Sequence, residues 1–326
     1  TMHTDRLIEF VQAMVQQPSL SGEEQAVAQR VEAEMRALGY DSVETDEVGN
    51  VVGVIEGATA GKTLLFDAHT DTVGISPGVP WDRDPFCADI ITDGDGDEAI
   101  YGRGSADMKG ALGAMVHVAA AVGRSKLSGR IIVSASTLEE VLEGVALKVV
   151  MDRYPPSFVV IGEATDLNLA RGGRGRAEIH LQTVGRPSHS SAPQLGRNAV
   201  LDMARVIQAI ETLQLGKDAL MGPAIIALTD IISDPYPGNS VIPSVCRATY
   251  DRRLLPDETN EEVLDAIHQL PGIDDIDLRA VIGTGEYDAF TGKRLICEKF
   301  FPAWLYAEDE PFVQLSMAGL QAAGLK

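Results

Sequence analysis

The chain has 326 residues, 45% hydrophobic and 23% charged, which suits a soluble globular protein of two domains. Its formal net charge of -21 argues against nucleic acid and anionic membranes as partners, since both are gripped by clustered Lys and Arg. The three cysteines, Cys87, Cys246 and Cys297, are widely separated and odd in number; they offer neither a zinc knuckle nor a disulfide framework, so a reducing compartment is expected. The stretch from Thr4 to Phe10 is amphipathic and charged, without a signal-peptide core, and no apolar run is long enough to span a bilayer. A cytoplasmic protein is expected.

Two helices open the chain. In the second, Ser21 stands where an N-cap belongs and Glu24 three residues on, as in a capping box; Val27, Val31, Met35 and Leu38 form the apolar stripe, and Gly39 stops it. Strands follow at 51–55 and 63–68, then a loop rich in Gly, Pro and Asp from 74 to 97. Residues 109–122 read as a small-residue helix suited to burial. The runs 130–135 and 158–161 are short and apolar, like strands covered on both faces. Strands alternating with helices predict an α/β sheet.

After Glu163 the character changes. The Gly/Arg stretch 171–176 leads into an alternating strand at 177–184. A helix (197–213), a strand (247–254), a helix (260–270) and a strand (277–282) come next. That β-α-β-β-α-β-like order predicts a separate α+β, ferredoxin-like domain of about a hundred residues. The expected division is residues 1–173 as the first part of a catalytic domain, 174–285 as an inserted domain, and 286–326, with a helix at 310–323, as the returning second part.

The chemistry gathers at strand ends. Residues 64–68 are a mostly apolar strand that runs into His69-Thr70-Asp71. Asp107 lies in Gly104-Ser105-Ala106-Asp107-Met108-Lys109-Gly110, just before a helix. Glu139-Glu140 follow one apolar run and Glu163 another. In open α/β sheets ligands bind beyond the carboxyl ends of the strands, where these acidic clusters fall. One imidazole and several carboxylates converging there suit a dinuclear metal site, in which one ion polarises a carbonyl and both activate water. Taken singly, each motif has a plainer reading: a surface His–Asp pair, an N-cap at Asp107, an acidic helix start at Glu139, a loop carboxylate at Glu163. Their order and common placement favour a metal-dependent hydrolase.

These motifs, with Gly162-Glu163-Ala164-Thr165, resemble the zinc peptidase and deacylase family that includes acetylornithine deacetylase, succinyl-diaminopimelate desuccinylase, aminoacylase and carboxypeptidase G. Tyr250-Asp251-Arg252-Arg253-Leu254-Leu255 and Gly162-Glu163-Ala164-Thr165-Asp166 are similar to a subgroup associated with selenium metabolism. The resemblance implies a mixed-sheet catalytic domain with an inserted lid and dimerisation domain. It also implies two divalent ions, zinc first, with cobalt or manganese as substitutes. His69 would ligate the first metal with Asp71 orienting its ring, and Asp107 would bridge both ions before a cis peptide bond to Met108. Glu139 would be the general base, Glu140 a ligand of the second metal and Glu163 of the first. In the lid, His189 within Gly185–Pro193 matches a histidine that reaches the partner subunit's site and stabilises an oxyanion. Asn239 and Arg253 match groups that hold a substrate carboxylate, with Arg252 competing for the latter role.

One departure stands out. The family's second metal normally takes a further His near the C-terminus, whereas the last histidine here is His268. The chain is therefore expected to be a truncated form or to hold its second metal weakly. The resulting expectation is a homodimeric amidohydrolase acting on a small N-acyl amino acid or dipeptide-like substrate with a free carboxylate. An exopeptidase of the same family and a non-catalytic binding protein on this scaffold remain the alternatives.

Overall fold

The strand Thr59–His69 lies between two parallel neighbours, Ser128–Ser136 and Phe158–Ile161. Val51–Glu56 and then Ser42–Thr45 extend this sheet by antiparallel pairing, which makes it mixed. The computed structural model describes residues 4–78, 80–94 and 96–325. Alternation along the central strand sets what each face does. Phe66 and Ala68 pack with Phe10, Met14, Val27, Val31, Met35, Leu112 and Val116 from the helices Thr4–Val15, Gln25–Ala37 and Gly110–Ala121. Leu65 faces the other way, onto Leu147 and Val150 of the helix Val145–Arg153. Covered on both sides, these strands need the near-continuous apolar runs the sequence has. Each fully buried Leu or Val there contributes roughly 1.5–3 kcal/mol.

Helix Gln25–Ala37 buries Val27, Val31 and Met35, and Gly39 ends it with φ +79, a value that favours glycine. Its start differs from expectation. Glu24 occupies the cap position without a side-chain cap bond, and Ser21 does not cap at all. Both side chains are engaged elsewhere: Ser21 Oγ donates to Asp71 and Glu24 Oε1 accepts from the Leu138 N–H.

The chain divides into two compact units. The first comprises the residues up to Asn168 together with Gly285–Cys297; the second comprises Leu169–Thr284 together with the segment from Glu298 on. In the second, four antiparallel strands run in the order Ile225–Asp234, Val245–Leu254, Gly175–Val184, Asp277–Ile282. The helices Ala199–Ile210 and Asn260–His268 pack on one face over Ile179, Leu181, Ala248 and Tyr250. This is the split β-α-β arrangement of a ferredoxin-like domain. Asn198 caps the first helix through the Val200 N–H, and Thr259 with Glu262 forms a complete capping box on the second.

Two features lie outside the expected pattern. The strand Ile225–Asp234 was implied by the expected order but not located, because its apolar residues neither alternate nor form a buried run; most of it is exposed at the sheet edge. The segment after Cys297 was expected with the first domain, yet it packs with the second. Phe300–Phe301 pairs with Ala177 and Arg176, and Trp304–Leu305 pairs with Gly173 and Gly172. The helix Pro311–Ala322 follows, one residue inside the expected span at each end.

Candidate metal centre

The parallel register builds the centre in two rungs. His69 pairs with Ser136; one rung below on the same face, Asp67 pairs with Ser134 on one side and Ile161 on the other. Glu163 follows the strand ending at Ile161, and Glu139–Glu140 begin the short helix after Ser136. Three neighbouring strands thus deliver their functional groups to one end of the sheet.

His69 is buried. Its Nε2 faces Asp107 Oδ1 at 3.0 Å, Glu163 Oε1 at 3.6 Å and Glu139 Oε2 at 3.9 Å. On the other side of the ring, Nδ1 lies 2.9 Å from the carbonyl oxygen of Asp71, with the Asp71 carboxylate 3.5 Å away. An Nδ1–H donated to that carbonyl leaves Nε2 facing the carboxylates, where its lone pair would serve a bound cation. Asp71 is fully buried and its carboxylate also does something unforeseen: Oδ1 accepts from the Glu139 N–H and Oδ2 from the Glu140 N–H, both at 3.1 Å.

Asp107 sits in the turn Ser105–Lys109, entered through Gly104 at φ +79, and the Asp107–Met108 peptide is cis. The following helix starts at Gly110 with Lys109 as its cap residue, so Asp107 caps nothing and its carboxylate is available to the centre. Lys109, entirely buried, reaches away and donates from Nζ to the carbonyls of Met14 (3.1 Å) and Gln17 (2.9 Å).

Ligand-type atoms fall into two overlapping groups, His69–Asp107–Glu140 and His69–Glu139–Glu163, each with its atoms within 4.8 Å of one another. The electrostatics fit cations. Burial, then the Glu163, Asp71 and Glu140 charges, push Glu139 up to about 7 against the opposing pull of His69. Burial raises Glu140 and Glu163 as well, with Asp107 adding to both. Burial would lower His69, yet the Asp71, Glu139 and Glu163 carboxylates overcome it and hold the imidazole near 10. Beneath the rung, buried Asp67 is pushed up to about 7 and lines a cavity of about 120 Å³ with His69, Ser136, Glu139 and Glu163. Several carboxylates crowded around one imidazole, in an all-oxygen and nitrogen donor set, suit divalent zinc, cobalt or manganese.

The remaining candidates lie in the second unit. His189 and Asn239 come together on paired loops: His189 bridges Val241, the Ser190 N–H donates to the Ser240 carbonyl, and the Ile242 N–H to that of Ser188. Asn239 has φ +42, a turn conformation that Asn tolerates. His189 Nδ1 lies 2.8 Å from Ser191 Oγ. Strand alternation separates the two arginines. Arg252 is buried and ion-paired with Glu258, whereas Arg253 is half exposed and held by Asp251 at 2.9 Å. His117 is a core histidine against Glu34 and Phe10.

Residues 171–272 match the peptidase dimerisation domain of the M20 family. Over 308 residues the chain is 34% identical to the Escherichia coli K12 protein called uncharacterized protein YgeY, covering 92% of this chain and 74% of that one. It is 31% identical over 280 residues to a succinyl-diaminopimelate desuccinylase of Sphingopyxis alaskensis (81% and 72% covered), and 28% identical over 288 residues to an acetylornithine deacetylase of Proteus mirabilis (80% and 70%). The fold matches a tripeptidase from Staphylococcus aureus with TM-score 0.72 at 18% identity, covering 100% of this chain and 83% of that one. It also matches a dinuclear metal-binding M20 peptidase of Bacillus subtilis with TM-score 0.67 at 13% identity (99% and 80%).

Fold and relatives define a hydrolase of amide and peptide bonds. The chain belongs to the M20 family of metallopeptidases and deacylases. Among the described residues no helix is long and apolar enough to cross a membrane.

Proposed function

We propose that this protein hydrolyses the amide bond of a small N-acyl amino acid or dipeptide-like substrate bearing a free carboxylate. The observation that carries the reading is His69 Nε2 facing Asp107, Glu139 and Glu163 within 3.9 Å, with Glu140 completing a second group. His69, Asp107, Glu140 and Glu163 would hold two divalent ions, zinc first. When bound, the ions supply Lewis-acid polarisation of the amide carbonyl and acidify a water. Glu139, raised by burial, takes the water proton and returns it to the departing nitrogen. Asp71 holds both the His69 ring and the backbone of Glu139 and Glu140. His189, with Nδ1 engaged by Ser191, presents Nε2–H to the developing oxyanion from the partner subunit. Asn239 and Arg253 bind the substrate carboxylate. Arg253 suits this role better than Arg252, whose guanidinium is buried and spent on Glu258.

The test is a panel of acetylated and succinylated amino acids against dipeptides, with enzyme reconstituted in zinc or cobalt. Turnover of the acyl amino acids supports the deacylase reading; turnover of dipeptides alone selects the exopeptidase, and turnover of neither favours a binding protein. On the best substrate, Arg253→Met should raise KM roughly 10–100-fold while kcat changes little, because a charge-assisted contact contributes about 1.5–3 kcal/mol. Unchanged KM would remove Arg253 from the site.

The homodimer belongs to the same proposal. Beyond the match to a dimerisation domain, the edge strand Ile225–Asp234 exposes Leu228, Ile231 and Ile232 and leaves its outer backbone edge without a strand partner among the described residues. An apolar edge of this kind is a template for pairing with a second copy. Leu228→Lys with Ile231→Lys should convert a dimer to a monomer in sedimentation; a wild-type monomer would refute the proposal.

A further inference from the structure

Four side chains tie the short segment between the first two helices to parts of the chain far away in sequence. Ser19 Oγ donates to the Thr70 carbonyl (2.7 Å), and the Ser19 carbonyl accepts from the Thr72 N–H (2.8 Å). Ser21 Oγ donates to Asp71 Oδ2 (2.7 Å). Glu24 Oε1 accepts from the Leu138 N–H (3.1 Å). Lys109 Nζ closes the set on Met14 and Gln17. Residues 14–24 therefore touch the loop after His69, the turn before Glu139 and the turn of Asp107, although they hold no candidate ligand.

Glu24 is the most unusual member. It is fully buried, no Lys, Arg or His among the described residues pairs with it, and burial raises its carboxyl. An acid buried without a cation is costly and is retained where it satisfies something specific. Its Oε1 accepts from the N–H of Leu138, a residue at φ +58, a left-handed conformation that leucine rarely adopts. The next two residues are Glu139 and Glu140, whose N–H groups are held by Asp71, itself held by Ser21. The turn that aims these two carboxylates is thus fastened at three successive N–H groups, one of them by Glu24 directly.

We infer that Glu24 is a positioning residue: it fixes the left-handed turn at Leu138 and so sets the direction of Glu139 and Glu140, with Ser21 acting on the same turn through Asp71. This rests on the reading of Glu139 as base and Glu140 as metal ligand. Preorganisation of this kind acts on turnover and metal binding, because it places groups without touching substrate.

The test compares Glu24→Leu, which keeps apolar bulk and removes the acceptor, with Glu24→Gln, which keeps an acceptor oxygen. Glu24→Leu should lower kcat roughly 10–100-fold with KM within about threefold. It should also weaken cobalt binding about tenfold in titrations and alter the visible absorption of the cobalt-loaded protein. Glu24→Gln should stay within about threefold on every measure. If Glu24→Leu does not fold, Ser21→Ala reports on the same turn and should lower kcat several-fold at constant KM. Wild-type kcat and an unchanged cobalt spectrum in the folded variant overturn the inference, as does Gln failing as badly as Leu. Glu139→Gln, run in parallel, separates the two layers: an active Glu139→Gln refutes the base itself, whereas an inactive one beside a fully active Glu24→Leu refutes only the positioning role.

Discussion

Glu139→Gln should lower kcat by roughly 10²–10⁴-fold while the protein still folds and loads its metals. The substitution is isosteric and removes the one capacity the proposed mechanism needs, acceptance of a proton from water and its return to nitrogen. The environment favours that task. Burial and the neighbouring Glu163, Asp71 and Glu140 carboxylates push Glu139 up to about 7, near the pH at which a general base works best. The sign for activity follows: only the ionised form is a base, so kcat/KM should rise with pH across the Glu139 titration. Bound cations favour the carboxylate, which moves that rise below 7. The same measurement tests the competing role, since Glu139 also lies in one of the two ligand groups. Loss of kcat at full metal content identifies a base. Loss of metal together with kcat identifies a ligand, and unchanged kcat rejects both.

Asp107→Ala should have an effect at least as large, expressed first as metal loss. Asp107 Oδ1 is the carboxylate oxygen nearest His69 Nε2, and the carboxylate is half exposed with no helix N–H to cap. Its removal should leave less than one tightly bound metal per chain and cut kcat by about 10³-fold or more, since Lewis-acid stabilisation supplies several kcal/mol. Full metal content in the variant would reject the bridging role. Stripping the metal from the wild-type protein should act in parallel on stability. A ligand at 1,000 times its Kd contributes about 4 kcal/mol, so chelation should lower Tm by roughly 5–10 °C. The loss should deepen with pH. Glu139 and Asp67 sit near 7 in the fold against ordinary values of 4.5 and 3.8, and His69 near 10 against 6.5. Each binds its proton more tightly folded than unfolded. The two acids' contribution is therefore present below about 4 and lost as pH rises through 7; that of His69 is present below 6.5 and lost toward 10. Calorimetry of the metal-free protein at pH 5 and pH 8 checks the sign: a Tm that rises with pH would contradict it.

Local sequence determined a good deal about this protein. Apolar runs of strand length between helical stripes marked the strands of the first sheet except Ser42–Thr45, and alternation marked Gly175–Val184, because burial on one face writes a period of two into the chain. The segment Asp277–Ile282 forms a strand over the residues expected. His69, Asp107, Glu139, Glu140 and Glu163 were legible as candidates, since each follows a strand or precedes a helix and carries metal-type chemistry. Asp67, Lys109, Ser19, Ser21 and Glu24 were not read as parts of the site. Their chemistry has no local signature: Ser21 and Glu24 have the spacing of a capping box, and only the packed fold shows their side chains bonded to Asp71 and Leu138 instead. Pairing partners are equally invisible in the chain itself. The edge strand Ile225–Asp234 carries no clear period, and the pairing of Phe300–Phe301 with Ala177 and Arg176 spans more than a hundred residues. Likewise Arg252 and Arg253 are equivalent as letters; the strand's pairing and the helices on one face decided that Arg252 is buried on Glu258 while Arg253 stays half exposed. Sequence determines what each residue can do locally through its size, charge and period. Which groups meet, and so which carboxylate is ligand, base or buttress, is decided by long-range packing that leaves no periodic trace.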